Sequence, residues 1–189
     1  IEEIKDVYTS DKVIVSIAAG MMIDKIRKLF EQDVKVVRIM PNTPALVNEG
    51  ASGICASDNI SVQENQVVTS IFSALGVTVQ IAEEKMHGVV AVSGSSPAYV
   101  FMFIDALIQG GMKQGLCYED ARLLASQSVL GAAKLVQESE NSLDQLVKNV
   151  CSPGGTTIEA VHVLEDKQLK DIVMEAMEAC ANKSRKMSE

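Results

Sequence analysis

Tryptophan is absent from the 189 residues, aromatics make up only 4%, and there are just four prolines, four cysteines and two histidines. Each shortage removes a class of function. So few aromatic rings leave no stacking platform for single-stranded nucleic acid. A net charge of −8, from 17 Lys and Arg against 25 Asp and Glu, disfavours any polyanion or anionic lipid surface as a partner. Cys55, Cys117, Cys151 and Cys180 contain no C-x-x-C pair and only His87 and His162 are available to join them. No metal site is therefore expected, and the cysteines read as reduced, small buried hydrophobes of a cytoplasmic protein. The longest apolar run, Ala98 to Ile104, falls far short of the roughly 18 residues of a membrane span, and no basic-then-apolar signal opens the chain. What is present is a globular composition, 47% hydrophobic and 22% charged, sized for one large domain or two small ones. Residue 1 is Ile rather than Met, so the gene product is expected to start upstream of it.

The first half alternates strand and helix. Lys12 to Ile17 is a β-branched run suited to a buried parallel strand, followed by a helical pattern that carries Met22, Ile23, Ile26, Leu29 and Phe30 on one side. Val34 to Ile39 is the next strand, Met40-Pro-Asn-Thr-Pro44 breaks regular structure, and Gly53 to Ala56 is a weak strand at best. A helix over Val62 to Leu75, closed by Gly76, leads to a last strand over Val77 to Ile81. This alternation predicts a parallel, doubly wound sheet.

After Glu84 the strand signal disappears, and an all-helical part is expected over 85–189 after an α/β part over 1–84. Ser96-Pro97 reads as a helix start, and the apolar Tyr99 to Ile104 calls for burial on every side, which a monomer of this size cannot provide. A helix from about Tyr118 to Glu138 carries Ala121, Ala125, Ser128 and Ala132 as a stripe for close helix approach. Ser142-Leu-Asp-Gln145 is a capping-box pattern, Lys167 to Lys186 is an amphipathic terminal helix, and Met21, Met22, Met86, Met102 and Met112 read as core fillers. Self-association, in its sharper form an intertwined dimer, follows.

The chemistry concentrates in one loop, Cys151-Ser-Pro-Gly-Gly-Thr-Thr157, which runs into Ile158-Glu-Ala-Val161. Thr156 and Glu159 have capping-box spacing, which places Thr157 at the first helical position with its hydroxyl free. Gly154 and Gly155 clear the approach, and the helix start offers unpaired N–H donors to a carboxylate or phosphate without a cation. The same spacing also suits a plain helix-starting turn. Asn149 and Glu140 lie nearby in sequence, where an Asn is commonly a turn or cap residue and a Glu commonly solvated.

Five motifs, Val15-Ser-Ile-Ala-Ala-Gly20, Met40-Pro-Asn-Thr-Pro44, Val92-Ser-Gly-Ser-Ser-Pro-Ala-Tyr99, Gly131-Ala-Ala-Lys134 and Ser152-Pro-Gly-Gly-Thr-Thr157, stand in the order and spacing of pyrroline-5-carboxylate reductases, and the chain resembles the C-terminal two thirds of that family. The resemblance implies reduction of 1-pyrroline-5-carboxylate to L-proline with NADPH or NADH, the last step of proline biosynthesis. It implies the C-terminal part of a Rossmann-type sheet followed by a helical domain that forms a homodimer, in some members within larger rings. By matching motif positions it gives the substrate Ser152, Gly154, Gly155, Thr156 and Thr157 together with Glu140. It gives the nicotinamide cofactor Ile17, Ala18, Ala19 and Asn149, with Glu83 as a weaker contact, and it makes Thr157 the catalytic residue, orienting the ring nitrogen or relaying a proton.

Family members open with a strand and a G-x-G-x-x-G-type turn for the pyrophosphate. The only glycines here before residue 76 are Gly20, Gly50 and Gly53, so this chain by itself is expected to hold a dinucleotide poorly. Two other readings are open. A hydroxyacid dehydrogenase would need a catalytic Lys on the helix after the sheet, and Ser93 to Gln109 has none. A non-catalytic oligomerisation module derived from such a reductase would keep the helices and dispense with the turn.

Overall fold

A computed structural model describes residues 1–188. The chain divides into two compact units, one formed by Ile1–Pro97 with Ala176–Glu189, the other by Ala98–Glu175. The boundary expected at residue 85 falls within the first unit.

The first unit is built on four strands in the order β1 (Ile14–Ser16), β2 (Val36–Met40), β3 (Gly50–Ala56), β4 (Gly76–Gln80). β1 runs parallel to β2 and β3 parallel to β4, each pair joined through a helix, α1 (Ile23–Phe30) and α2 (Val62–Ser73) respectively. The middle pair is antiparallel, with Val37 opposite Ala56 and Met40 opposite Gly53. The strand–helix pattern did not show this reversal. Only nine residues, 41–49, link β2 to β3, whereas a parallel crossover needs about a dozen or more.

β2 is the centre of the core. Alternation sends Val36 to one face, where it packs with Ile23, Ile26, Phe30, Val34, Cys55 and Met86, and sends Val37 and Ile39 to the other, with Ile54 and Val68. Helices thus cover both faces, α1 on one and α2 on the other, as a doubly wound sheet requires. β3, expected as weak, is the longest strand at seven residues. Its small side chains are what fit: a Cβ on Gly53 would lie 2.8 Å from Val89 Cγ1.

A continuous helical stretch begins at Glu83 and ends at Lys113, earlier than the expected start at Pro97. It comprises a 3₁₀ turn, the short α3 (Met86–Val89), a π-type turn over Val90–Gly94 and α4 (Ser96–Lys113). By length and composition alone this stretch is long and apolar enough to cross a membrane, although its longest uninterrupted apolar run is short.

The remaining helices are α5 (Tyr118–Glu138), α6 (Leu143–Val150), α7 (Thr156–Asp166) and α8 (Leu169–Ser188), the last contributing to both units. In the second unit the stripe on α5 packs as expected at Ala121 and Ala125, which bury against Ile108 of α4 with Ile104 beside them. Those three are its only buried apolar residues among the described ones. The burial expected for α4 is therefore not supplied by one chain: Met102, read as a core filler, is 73% exposed and Phe101 62%. Cys117 is also exposed rather than buried and caps α5, accepting from Asp120 N–H at 3.5 Å, while Cys55 alone of the four thiols is buried. Ser142 caps α6 as predicted, accepting from Gln145 N–H at 3.2 Å.

Candidate functional site

In the second unit, the loop between α6 and α7 takes its shape from its glycines. Gly154 sits at φ +68°, open to glycine without strain, and Gly155 N–H donates to Ser152 carbonyl at 3.0 Å to close a turn. A Cβ on Gly155 would collide with Ser152 Oγ. The helix register differs by one residue from the capping-box expectation. Gly155 is the N-cap, Thr156 is the first helical residue and Thr157 the second, and no side chain caps the helix. The reason is the Gly155 turn, which takes the place a Thr156 cap would have used. Neither threonine hydroxyl has a hydrogen-bond partner among the described residues, so both remain available, and the first-turn N–H groups keep their usual freedom. The arrangement offers two hydroxyls and a set of backbone donors to an anion, with no ammonium or guanidinium needed.

Glu140 stands exposed between α5 and α6. Asn149 lies in the last turn of α6, its Oδ1 accepting from Gln145 Nε2 at 2.8 Å, which leaves the amide N–H₂ as its free group. Gln145 thus reaches forward to Asn149 rather than back to complete the box.

In the first unit, Ile17, Ala18 and Ala19 follow β1 directly and are exposed. Gly20 behind them is buried at φ +75°, and a Cβ there would lie 2.8 Å from the carbonyl oxygen of Met187 on α8. Glu83 is not free. Its Oε1 accepts from Arg38 Nη1 at 3.0 Å and from Ile23 N–H at 2.8 Å. Arg38 is 3% exposed in mid-strand, a charge in an otherwise apolar run. The one sequence signal for this pair was that lone Arg within Val36 to Met40. Burial holds His87 below its ordinary pKa, helped by Arg38 and Arg185 and opposed by Glu83, and its Nδ1 lies 2.9 Å from Ser184 Oγ. Burial also pushes the Cys55 thiol up. Among the described residues no group of His, Cys, Asp or Glu is placed to hold a metal ion.

A two-sided α/β layer continuing into an apolar helical region, with a helix start that no side chain caps, defines a class, the two-part proteins whose strand–helix portion precedes a helical one. Comparison makes the class specific. A family model described as pyrroline-5-carboxylate reductase dimerisation matches residues 83–187. A pyrroline-5-carboxylate reductase of Escherichia coli (strain K12) is 44% identical over 188 residues, covering 100% of this chain and 70% of its own length. One from Aquifex aeolicus (strain VF5) is 39% identical, covering 93% of this chain and 66% of its own. Among solved structures, a pyrroline-5-carboxylate reductase from Coxiella burnetii superposes with a TM-score of 0.93 at 36% identity, covering 100% of this chain and 70% of that one. A Plasmodium falciparum pyrroline carboxylate reductase with NADP bound gives 0.90 at 37% identity, covering 95% and 72%. The chain belongs to the pyrroline-5-carboxylate reductase family.

Proposed function

We propose that the protein takes part, as a cytoplasmic homodimer or a ring of such dimers, in the NAD(P)H-dependent reduction of 1-pyrroline-5-carboxylate to L-proline. The observation that carries this reading is the Gly154-Gly155-Thr156-Thr157 helix start, with both hydroxyls unpartnered among the described residues. A carboxylate is held there by backbone N–H groups and by Ser152 and Thr156, with Glu140 in the same pocket. Thr157 orients the ring nitrogen and relays a proton to it. When bound, the cofactor supplies hydride to the carbon of the C=N bond, and the ring nitrogen takes a proton, so one C–H and one N–H bond form as the π bond is lost. An imine of this kind is readily protonated, so the protein's task is alignment rather than strong acid catalysis.

The residues present fit the nicotinamide end of such a cofactor. Ile17 offers an exposed apolar side chain and Ala18 and Ala19 small exposed ones at the end of a strand, where α/β sheets bind their ligands; in the second unit, the amide N–H₂ of Asn149 is a hydrogen-bond donor. Either NADPH or NADH meets these demands. The pyrophosphate has no matching glycine turn within the 189 residues.

The three-residue core of the second unit supports self-association, because so little burial does not offset the entropy of ordering its helices, and a second copy laid on α4 supplies the missing contact. The same observation favours a second reading, an oligomerisation module without catalysis. An NADPH-oxidation assay on the complete gene product with 1-pyrroline-5-carboxylate decides between them. Turnover with proline as product is expected; a stable dimer that oxidises neither NADPH nor NADH overturns the reductase reading and leaves the module.

A further inference from the structure

We propose that Glu83 and Arg38 are positioning residues for the turn Ile17–Met22, acting on the cofactor through that turn rather than by touching it. The functional half of this inference rests on the reading that Ile17, Ala18 and Ala19 meet the nicotinamide.

The turn has little to hold it from within. Its internal bonds are long, Ala18 N–H to Ser16 Oγ at 3.4 Å and Met21 N–H to Ala18 carbonyl at 3.4 Å, and its first three side chains are exposed. A segment with so few buried contacts opens easily on its own. Order is imposed from outside at three points. Glu83 Oε1 takes the N–H of Ile23, the first residue of α1, at 2.8 Å and so fixes where the turn ends. Arg38 Nη1 holds that same oxygen at 3.0 Å and lies 3.0 Å from Met22 Sδ. Gly20 fits under the Met187 carbonyl with no room for a Cβ.

These supports share a rigid base. Arg38 is in register with Ser16 on β1 and Cys55 on β3, so its backbone is held by ladders on both sides. Ser184, three residues before Met187, lies 2.9 Å from the Nδ1 of His87, which follows Glu83 by four residues. The segment 83–87 therefore steadies both the start of α1 and the end of α8, and the turn lies between them.

A well-packed apolar pair can replace a buried ion pair at little cost in stability, but it cannot accept the Ile23 N–H. A carboxylate at a helix N-terminus does so with added favour from the helix dipole. The Oε1 atom is committed twice over, which is why Glu83, read from sequence as a weak cofactor contact, is better assigned to holding the turn.

The test pairs hydrogen exchange with steady-state kinetics on the complete protein. Glu83→Ala removes both bonds, whereas Glu83→Gln keeps an acceptor for Ile23. Loss of the carboxylate's bond to the Ile23 N–H is by itself enough to predict exchange across 17–23 faster by about tenfold or more in Glu83→Ala, with α2 unchanged. KM for NADPH is expected to rise by about tenfold, with KM for the pyrroline and kcat within about twofold. Glu83→Gln is expected to recover most of both effects. Should Glu83→Ala not fold, Gly20→Ala disturbs the same turn from the Met187 side and carries the same expectations.

Unchanged exchange across 17–23 overturns the proposal whatever the kinetics. Faster exchange with an unmoved KM for NADPH overturns its functional half. If the parent protein shows no turnover at all, the reductase reading fails, and the exchange result alone then decides whether Glu83 positions the turn.

Discussion

The side-chain amide of Asn42 donates to the backbone carbonyl of Ser93 at 3.1 Å, the acceptor to which Pro97, four residues on, has no N–H to give. The other end of the same amide, Oδ1, accepts from Ala51 N–H at 2.9 Å at the start of β3. The Met40–Pro44 segment and the helix start at Pro97 are thus tied together by one residue. The π-type turn over Val90–Gly94, with Ser95 N–H reaching back to Val90 carbonyl at 2.8 Å, is the form the helix takes around that proline.

Asn42→Ala breaks both bonds and is expected to destabilise the fold by about 2–3 kcal/mol. Asn42→Asp keeps the acceptor for Ala51 but sets a carboxylate oxygen against the Ser93 carbonyl, so it should not restore the Ser93 half. In urea unfolding the midpoint should fall with an unchanged slope. Pro97→Ala restores a helical N–H four residues after Ser93, so in a double-mutant cycle it should offset part of the Asn42→Ala loss. Strict additivity would show that the two residues do not share the Ser93 carbonyl.

Gly53 faces Val89 with no space for a methyl group, and Val89 is β-branched and stiff at χ1, so it cannot swing aside. Gly53→Ala is expected to lower stability by about 1–3 kcal/mol through overpacking. Val89→Ala opens the space, so Gly53→Ala in that background should cost much less. Equal losses in both backgrounds, read by thermal unfolding, would remove the steric account of why β3 is built from small residues.

How much of this was legible follows from where each signal lies. β2 shows in a β-branched run because its own side chains fill the core, and Ile14 of β1 packs against it; β4 shows by the same composition although Val77 and Val79 stay exposed. β3 opens Gly50-Ala-Ser-Gly53 and is a strand because of its neighbours, information that lies in Val89, Ala45 and Leu75 rather than in its own composition. The Gly-Gly-Thr-Thr loop was legible as a helix start, but its register was not, since Thr156 capping competes with a turn bond that only the backbone reveals. The Arg38–Glu83 pair joins residues far apart in sequence, and no periodicity records it. The Ser61–Glu64 capping box, unread from sequence above, has the local S-x-x-E spacing that could have shown it and is formed in full.

That capping box also predicts an acid response. Glu64 Oε1 pairs with Lys35 Nζ at 2.6 Å, and Oε2 accepts from the Ser61 N–H at 2.8 Å and the Ser61 hydroxyl at 2.7 Å. The Lys35 ammonium first, then the two Ser61 donors, hold the Glu64 carboxyl down from 4.5 to about 2. A depressed carboxylate binds fewer protons folded than unfolded, so its contribution is present above pH 4.5 and is lost as pH falls from there through about 2. His87, also depressed, works in the same direction at higher pH: as pH drops below 6.5 the unfolded chain gains a proton that the folded one resists. Thermal unfolding across this range should show parent and Glu64→Gln converging towards pH 2, and parent and His87→Gln diverging most at neutral pH. A constant gap in either pair would contradict the assignment.

The exposed face of α4 predicts a dimer at nanomolar concentration in sedimentation without detergent. Burying one large apolar side chain contributes about 1.5–3 kcal/mol, and in a two-fold interface each substitution counts twice. Met102→Glu, at the most exposed of these positions on α4, should weaken the dimer by about a hundredfold or more. A stable parent monomer, or a Met102→Glu dimer of parental affinity, would show that something other than a second copy covers this helix.

In the function proposed above, Thr157 is the residue that meets the ring nitrogen. As the second residue of α7 its hydroxyl has no partner among the described residues, so removing it should leave stability nearly unchanged. A positioned hydrogen bond near the reacting atoms is worth about 1.4 kcal/mol or more of barrier, so Thr157→Ala in the complete protein should lower kcat about tenfold or more. Thr157→Ser keeps the hydroxyl and should retain most of the rate, whereas Thr157→Val keeps the shape and should not. Thr156→Ala, at the first helical position, should instead raise KM for the pyrroline with a smaller effect on kcat, because the partner proposed for it is the carboxylate that substrate and transition state share. Equal turnover in Thr157→Ala and the parent would take Thr157 out of the mechanism and leave the helix start as a binding site alone.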